Sequence, residues 1–293
     1  MTTGNWLAAV VRTTRPRQWP KNLVVLAAPL AGATVGRDDG AGYALAAAAA
    51  FGSASAAVYL VNDVVDAERD RRHPVKRYRP VASGALPAAH AVALAVLAAA
   101  VAVAVGLVIG VPLLAVTAAA YLCSSFLYSA RLKHVAYVEM VLVASGFLLR
   151  ILGGAAATHV RPSVWFLLVC SLGALFVAVA KRYAELTSLG QDAVRHRPAM
   201  RWYQPRGLLA AEVVIGVAML AMYLLWAAGE SAGTRAWHVA SAVPLALALA
   251  RFAVLTARRS VRPVEEMLTG DRPMVGCEFA WLSLFCAGLY AGG

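Results

Sequence analysis

From Val61 to Gly84 the chain reads VNDVVDAERDRRHPVKRYRPVASG, a polar run inside a sequence dominated by Ala, Val and Leu. Asn62, Asp63, Asp66 and Asp70 carry oxygen ligands. On an α-helix, at about 100° per residue, these four fall within an arc of roughly 100° and share a face, while Glu68 projects away from it. Like charges on one face cost free energy unless a cation neutralises them. Mg²⁺ suits such a set, because it prefers few carboxylates and completes its shell with water and substrate phosphate. Arg69, Arg71, Arg72, Lys76, Arg77 and Arg79 interleave or follow, and such cations hold phosphate oxygens. Together the residue types point to a metal–diphosphate site. The competing reading is a solvated loop whose charges pair with one another and with lipid headgroups.

The elements that position this stretch are membrane spans. Of 293 residues, 61% are hydrophobic and 14% charged, with a mean hydropathy of +0.67. Soluble domains carry about a quarter charged residues, and here apolar runs long enough to cross ~30 Å of hydrocarbon recur throughout. The expected fold is all-α and polytopic, a single domain over residues 1–293 with nine transmembrane helices. The expected spans are 22–36, 43–61, 87–110, 111–128, 135–157, one ending near 180, 207–228, 237–257, and a last one after 272. Residues 1–21, with Arg12, Arg15, Arg17 and Lys21 beside Trp6 and Trp19, read as an interfacial segment. The polar loops are 62–86, 181–206 and 258–274. Nine spans place 23 of the 27 Lys and Arg on the N-terminal side, three on the other (Arg37, Arg161 and Arg235) and Arg150 within a span. That asymmetry assigns the N-terminus and the polar loops to the cytoplasm, in a cell (inner) membrane.

The net charge of +12 lies in short segments between spans, so the lipid bilayer is the expected partner and nucleic acid is not. Cys123, Cys170, Cys277 and Cys286 sit in apolar runs without a CxxC pair, and the six histidines show no zinc-binding spacing, so neither disulfide nor zinc chemistry is expected. The N-terminus lacks a continuous apolar region and a cleavage site, and no removable signal peptide is expected. Homo-oligomers are compatible with the sequence.

NDVVDAERD resembles the NDxxDxxxD signature of UbiA-type membrane prenyltransferases, and the resemblance extends to RPRQWPKN (15–22), YSARLK (128–133) and LLRILGG (148–154). It implies a nine-helix bundle with a cytoplasm-facing cavity. Within that family the likeness is to the decaprenyl-phosphate phosphoribosyltransferase branch, in which RPRQWxKN, NDxxDxxxDxxHPxKRxRPxAxG and KRYAEL occur together. The implied reaction moves 5-phosphoribose from phosphoribosyl diphosphate to a polyprenyl phosphate, releasing diphosphate, for arabinan synthesis. Ordinary UbiA enzymes carry a second aspartate-rich motif after the sixth span. Here Lys181, Arg182, Tyr183 and Glu185 stand there, with only Asp192 beyond. Exchanging carboxylates for cations removes metal sites and adds direct phosphate sites, which suits a donor carrying a 5-phosphate as well as a diphosphate.

By this resemblance Asp63, Asp66 and Asp70 bind Mg²⁺, Asn62 supports them, and Lys76, Arg77 and Arg79 hold phosphate. Lys181 and Glu185 belong to the catalytic set and are expected to face Asp63 and Asp66 across the cavity. Arg182 and Tyr183 join the substrate site, although Lys181 and Arg182 are also explained as charges anchoring a span end. Lys21, Asn22, Tyr128, Arg131 and Lys133 reach a phosphate or serve as interfacial anchors. Glu139 and Arg150 lie within a span, too far apart to pair directly, so each needs a partner elsewhere; a structural role is expected for Arg150. The 258–272 loop covers the site or is simply solvated. Two other readings stand beside the phosphoribosyltransferase: an aromatic prenyltransferase on the same fold, which the basic KRYAEL stretch disfavours, and a transporter of an anionic metabolite or lipid.

Overall fold

The computed structural model describes residues 3–36, 39–190, 198–258, 267 and 270–291. Arg37, Asp38, Asp192, Glu265 and Glu266 lie outside the described residues, as do parts of the 181–206 and 258–274 loops. The described chain is helical and forms two compact units, Met1–Ala130 with Leu149–Arg161, and Arg131–Leu148 with Pro162–Gly293.

The first unit opens with α1 (Thr3–Thr13), a 3-10 segment (Pro16–Leu26) and α2 (Ala27–Ala31). The expected span over 22–36 is therefore not one continuous helix. Pro16 and Pro20 lack the N–H that a regular α-helical ladder needs, and the chain takes the tighter 3-10 path. α3 (Gly40–Val65) runs through Asn62 and Asp63, so the polar stretch begins as helix rather than loop. After α4 (Ala67–Arg71) and a 3-10 turn (Lys76–Tyr78) come α5 (Ala88–Val108) and α6 (Pro112–Ala130). The tight turn expected between the last two is present, with Gly110 at φ 74°, a backbone conformation that suits glycine. α3 buries Ala47, Ala50, Ala54 and Ala57 with Phe51 and Val58, small residues that let neighbouring helices approach closely. α7 (Val138–Ala157) gives its second half to this unit. There a Cβ on Gly154 would collide with the Val25 carbonyl, so glycine is what allows the 3-10 segment to lie against α7.

The second unit holds the start of α7, then α8 (Val164–Leu189), a 3-10 turn (Pro198–Trp202), α9 (Pro205–Gly229), α10 (Ala232–Ala257) and α11 (Arg272–Ala291). Ser163 caps α8, its Oγ accepting the Phe166 N–H at 3.1 Å. α8 packs on α9, α9 on α10 and α10 on α11. Phe176, Ala180, Phe252 and Met274 form one core cluster, and Tyr183, Met200, Tyr203 and Leu208 another. α8 continues past the expected span end at Ala180, so Lys181 to Glu185 lie on its last turns.

Seven of the described helices, α3 and α5 to α10, are long and apolar enough to cross a membrane. The chain is a multi-pass membrane protein. Of the two remaining expected spans, 22–36 is broken as described, and α11 carries Arg272 and Glu278 in its first half.

Candidate active site

α3 ends at Val65, and Asp66 (φ −87°, ψ −2°) joins it to α4. The Asp66 N–H still donates to the Asn62 carbonyl at 2.9 Å and the Asp70 N–H to that of Asp66 at 2.8 Å, so the path stays near helical. The shared face survives with a gradient of burial. Asp63 and Asp70 turn inward, with 3% and 2% of their side chains exposed, whereas Asp66 keeps 24%. Asn62 is half-buried, and Glu68 is exposed and paired with Arg71, as its outward position suggests.

Each aspartate holds a guanidinium. Arg15 Nη2 lies 2.6 Å from Asp63 Oδ1, Arg79 Nη1 lies 2.6 Å from Asp70 Oδ2 and 3.6 Å from Asp63 Oδ1, and Arg69 Nη2 lies 2.9 Å from Asp66 Oδ1. Arg79 gets there because the chain reverses after α4. His73 Nδ1 accepts the N–H groups of Val75 and Lys76, each at 3.2 Å, and Arg79 follows the 3-10 turn in an extended conformation. Of Lys76, Arg77 and Arg79, only Arg79 is seen against the aspartates. Arg77 is exposed and donates to the Tyr78 hydroxyl at 2.6 Å, and Lys76 is half-buried. Among the described residues no three acidic, histidine or cysteine side chains converge enough to hold a metal unaided. The donor set nevertheless suits an ion that takes one or two carboxylates and completes its shell with water and phosphate. The Arg79 guanidinium lies between Asp63 and Asp70.

Arg15 opens the RPRQWPKN stretch, but sequence reasoning gave it no role beside the aspartates and read it as part of a basic interfacial segment. The available signal was its place before Pro16, where the α region is disfavoured and the chain must turn. Arg15 adopts φ 54°, ψ 70°, the left-handed region, between α1 and the 3-10 segment.

Lys21 is half-buried and bonds Gln18, within the 3-10 segment. Asn22 is buried, and its Oδ1 accepts from Arg150 Nε and Ser55 Oγ, both at 3.0 Å. Arg150 also donates to Ser55 Oγ at 3.0 Å and to the Tyr121 hydroxyl at 2.8 Å, and lies over the Tyr121 ring at 4.4 Å. The carbonyl oxygen of Asn22 is thus engaged in a buried network that ties the 3-10 segment to α3, α6 and α7. Arg150 has the structural role expected of it. Tyr128, near the end of α6, is half-buried.

In the second unit the expected cations take up different work. Arg182 Nε lies 2.6 Å from Glu139 Oε1, both buried, and Arg182 also pairs with Glu185 one turn on. The Tyr203 hydroxyl donates to Glu139 at 3.1 Å and accepts the Tyr137 N–H at 2.9 Å. Burial, reinforced by the Glu139 carboxylate, pushes the Tyr203 phenol up to about 12. Glu139 thereby finds the partner that a charged residue within a span requires. Arg182 is held by two carboxylates, and Tyr183 packs beside Met140 and Met200 in the core. Both side chains are buried. Lys181 and Glu185 are half-buried, as is Lys133 in a 3-10 turn, while Arg131 is exposed. Glu212, which sequence reasoning passed over, is fully buried in α9 against Thr256 of α10, and among the described residues neither carboxylate oxygen has a hydrogen bond of normal geometry.

Residues 22–272 match the UbiA prenyltransferase family. The decaprenyl-phosphate phosphoribosyltransferase of Mycobacterium tuberculosis (strain ATCC 25618 / H37Rv) is 36% identical over 294 residues, covering 98% of this chain and 96% of the relative. That of Mycolicibacterium smegmatis is 34% identical, over 98% of this chain and 94% of the relative. Among solved structures, a UbiA homolog from Archaeoglobus fulgidus bound to DMAPP and Mg²⁺ superposes with a TM-score of 0.73 at 12% identity, over 96% of this chain and 98% of that one. A digeranylgeranylglyceryl phosphate synthase gives 0.71 at 14% identity, over 97% and 98%. At such identities the likeness is one of fold. On the family match and these nearly full-length relatives, the chain is a membrane enzyme belonging to the UbiA prenyltransferase family.

Proposed function

We propose that this enzyme transfers 5-phosphoribose from phosphoribosyl diphosphate to a polyprenyl phosphate of the decaprenyl type, releasing diphosphate, with Mg²⁺ as cofactor. The observation that carries this reading is the aspartate face of α3 and α4 with arginines at each carboxylate, in a chain about a third identical to enzymes named for that transfer over nearly their whole length. Asp63, Asp66 and Asp70, supported by Asn62, would hold Mg²⁺, which neutralises charge on the departing diphosphate as the ribose C1–O bond breaks. Arg79, with Lys76 and Arg77 on the same turn, grips phosphate oxygens. The nucleophile is an oxygen of the lipid phosphate, already anionic near neutral pH, so the protein supplies no strong base. Its contribution is positioning and electrostatic complementarity.

In the second unit, Lys181 offers the direct phosphate contact, while Glu139 and Arg182 fix the helix end from which Lys181 and Glu185 project. Lys21, Tyr128 and Lys133 contribute at the membrane edge, where a lipid phosphate resides. We place the whole chain as one domain with nine crossings, its N-terminus and cavity facing the cytoplasm, on the strength of the lysine and arginine distribution. The product would feed cell-wall arabinan synthesis.

The test is an assay of the purified protein with labelled phosphoribosyl diphosphate, Mg²⁺ and polyprenyl phosphate. Diphosphate release together with a labelled lipid product is expected, both abolished by chelation. No turnover of that pair, alongside transfer of a prenyl group to an aromatic acid, would sink the proposal.

A further inference from the structure

Arg15 is held in a costly conformation to do something specific. Its φ of 54° is left-handed, a region that non-glycine residues rarely occupy and that persists only when surroundings fix it. The turn it makes is pinned on both sides, by its own N–H on the Arg12 carbonyl at 3.2 Å and by the Gln18 N–H on its carbonyl at 2.8 Å. From there the side chain crosses to α3, stacks over the Tyr59 ring at 5.0 Å and ends 2.6 Å from Asp63 Oδ1. Asp63 is almost fully buried, whereas Arg15 keeps about a third of its side chain exposed (32%). The carboxylate is therefore fixed and the cation is the partner able to leave.

The local charge count sharpens this. Asp63, Asp66 and Asp70 face Arg15, Arg69 and Arg79, a balanced set. A divalent ion entering it adds two positive charges beside guanidinium groups, one of which is already hydrogen-bonded to Asp63. The ion alone has to compete with Arg15 for that oxygen. An ion arriving with a polyphosphate donor does not, because the displaced guanidinium finds phosphate oxygens to bind.

We propose that Arg15 is an exchangeable counter-ion: it holds Asp63 while the metal is away, yields that carboxylate to the ion, and then binds a phosphate oxygen of the donor. The metal-free half of this stands on the geometry alone, and the donor half rests on the function proposed above. The consequence is a coupling between metal and donor, each assisting the other, with Arg15 as the element through which they communicate.

The experiment uses the full chain in detergent and two ligands separately, Mn²⁺ alone, followed by electron paramagnetic resonance, and phosphoribosyl diphosphate in saturating Mg²⁺. Arg15→Lys keeps the charge but is too short to hold Asp63 from the same backbone, and Arg15→Gly suits the left-handed turn, which guards against misfolding. Both variants are expected to bind Mn²⁺ alone about tenfold more tightly than wild type and the donor about tenfold more weakly, in the range usual for coupled sites. Unchanged or weaker Mn²⁺ binding in both variants would overturn the exchange. So would tighter Mn²⁺ binding in Arg15→Gly alone, which would reduce Arg15 to a background charge. If wild type fails to turn over phosphoribosyl diphosphate but the Mn²⁺ result holds, the function proposed above fails while the exchange at Asp63 stands.

Discussion

The two charged clusters of this enzyme are made from the same residue types and behave as opposites. Around Asp63, Asp66 and Asp70, two buried carboxylates and one part-exposed carboxylate meet guanidinium groups that all keep contact with solvent. Around Glu139, the arginine is buried together with its partner, and Tyr203 adds a hydrogen bond. An ion pair sealed on both sides is expensive to break, because removing one partner strands a charge in a low-dielectric interior. The difference teaches where to look for chemistry: charge that remains exchangeable serves ligands, and charge that is sealed serves the scaffold.

That contrast can be broken by substitution. Asp63→Ala is expected to lower turnover about a thousandfold or more, the scale associated with losing a principal electrostatic group, with little change in unfolding temperature. Rate and thermal melt measured on the same preparation decide this. Glu139→Ala is expected to do the reverse first, costing about 3–5 kcal/mol of stability by leaving Arg182 without its main partner, seen as a large drop in melting temperature before any effect on the donor KM. Arg150→Met should cost about 1–3 kcal/mol by unmaking its hydrogen bonds to Asn22, Ser55 and Tyr121, the lower end because interhelical bonds in lipid are individually weak.

The smallest effect concerns pH. The Tyr203 phenol is raised from 10 to about 12, chiefly by burial. A group that holds its proton more tightly when folded contributes stability that is complete below its unfolded pKa and is lost as pH rises through the folded value. Wild type should therefore lose stability between pH 10 and 12 by more than Tyr203→Phe does, and below that window the variant should be weaker by about 1 kcal/mol, one neutral hydrogen bond. Equal slopes in alkaline melts would place Tyr203 outside the sealed cluster.

Much of this was legible in the chain itself. The apolar runs gave the membrane class, and the spacing of Asp63, Asp66 and Asp70 gave a common face because the path from Asn62 to Asp70 stays near helical even across the break at Asp66. The glycine turn at Gly110 and the need of Glu139 and Arg150 for partners were also readable, since lipid leaves a lone charge few options. Which partner each would take was not readable. Arg150 meets Asn22 across 128 positions and Arg182 meets Glu139 across the fold, and nothing in local periodicity encodes such long-range pairs. The same gap hid that Asn22, Arg182 and Tyr183 would be buried. Cations at the ends of spans look alike in sequence whether they face phosphate or a buried carboxylate. The pairing of Arg15 with Asp63 was hidden for the same reason, although Arg15 opens the RPRQWPKN stretch.

The central claim is that the aspartate face of α3 and α4 is where the donor and its metal bind. Mn²⁺ added to the purified protein with phosphoribosyl diphosphate, followed by electron paramagnetic resonance, measures this directly. The wild type is expected to bind Mn²⁺ more tightly when the donor is present, and Asp66→Ala is expected to lose that binding while keeping its melting temperature. Donor-dependent Mn²⁺ binding that Asp66→Ala leaves unchanged would contradict it.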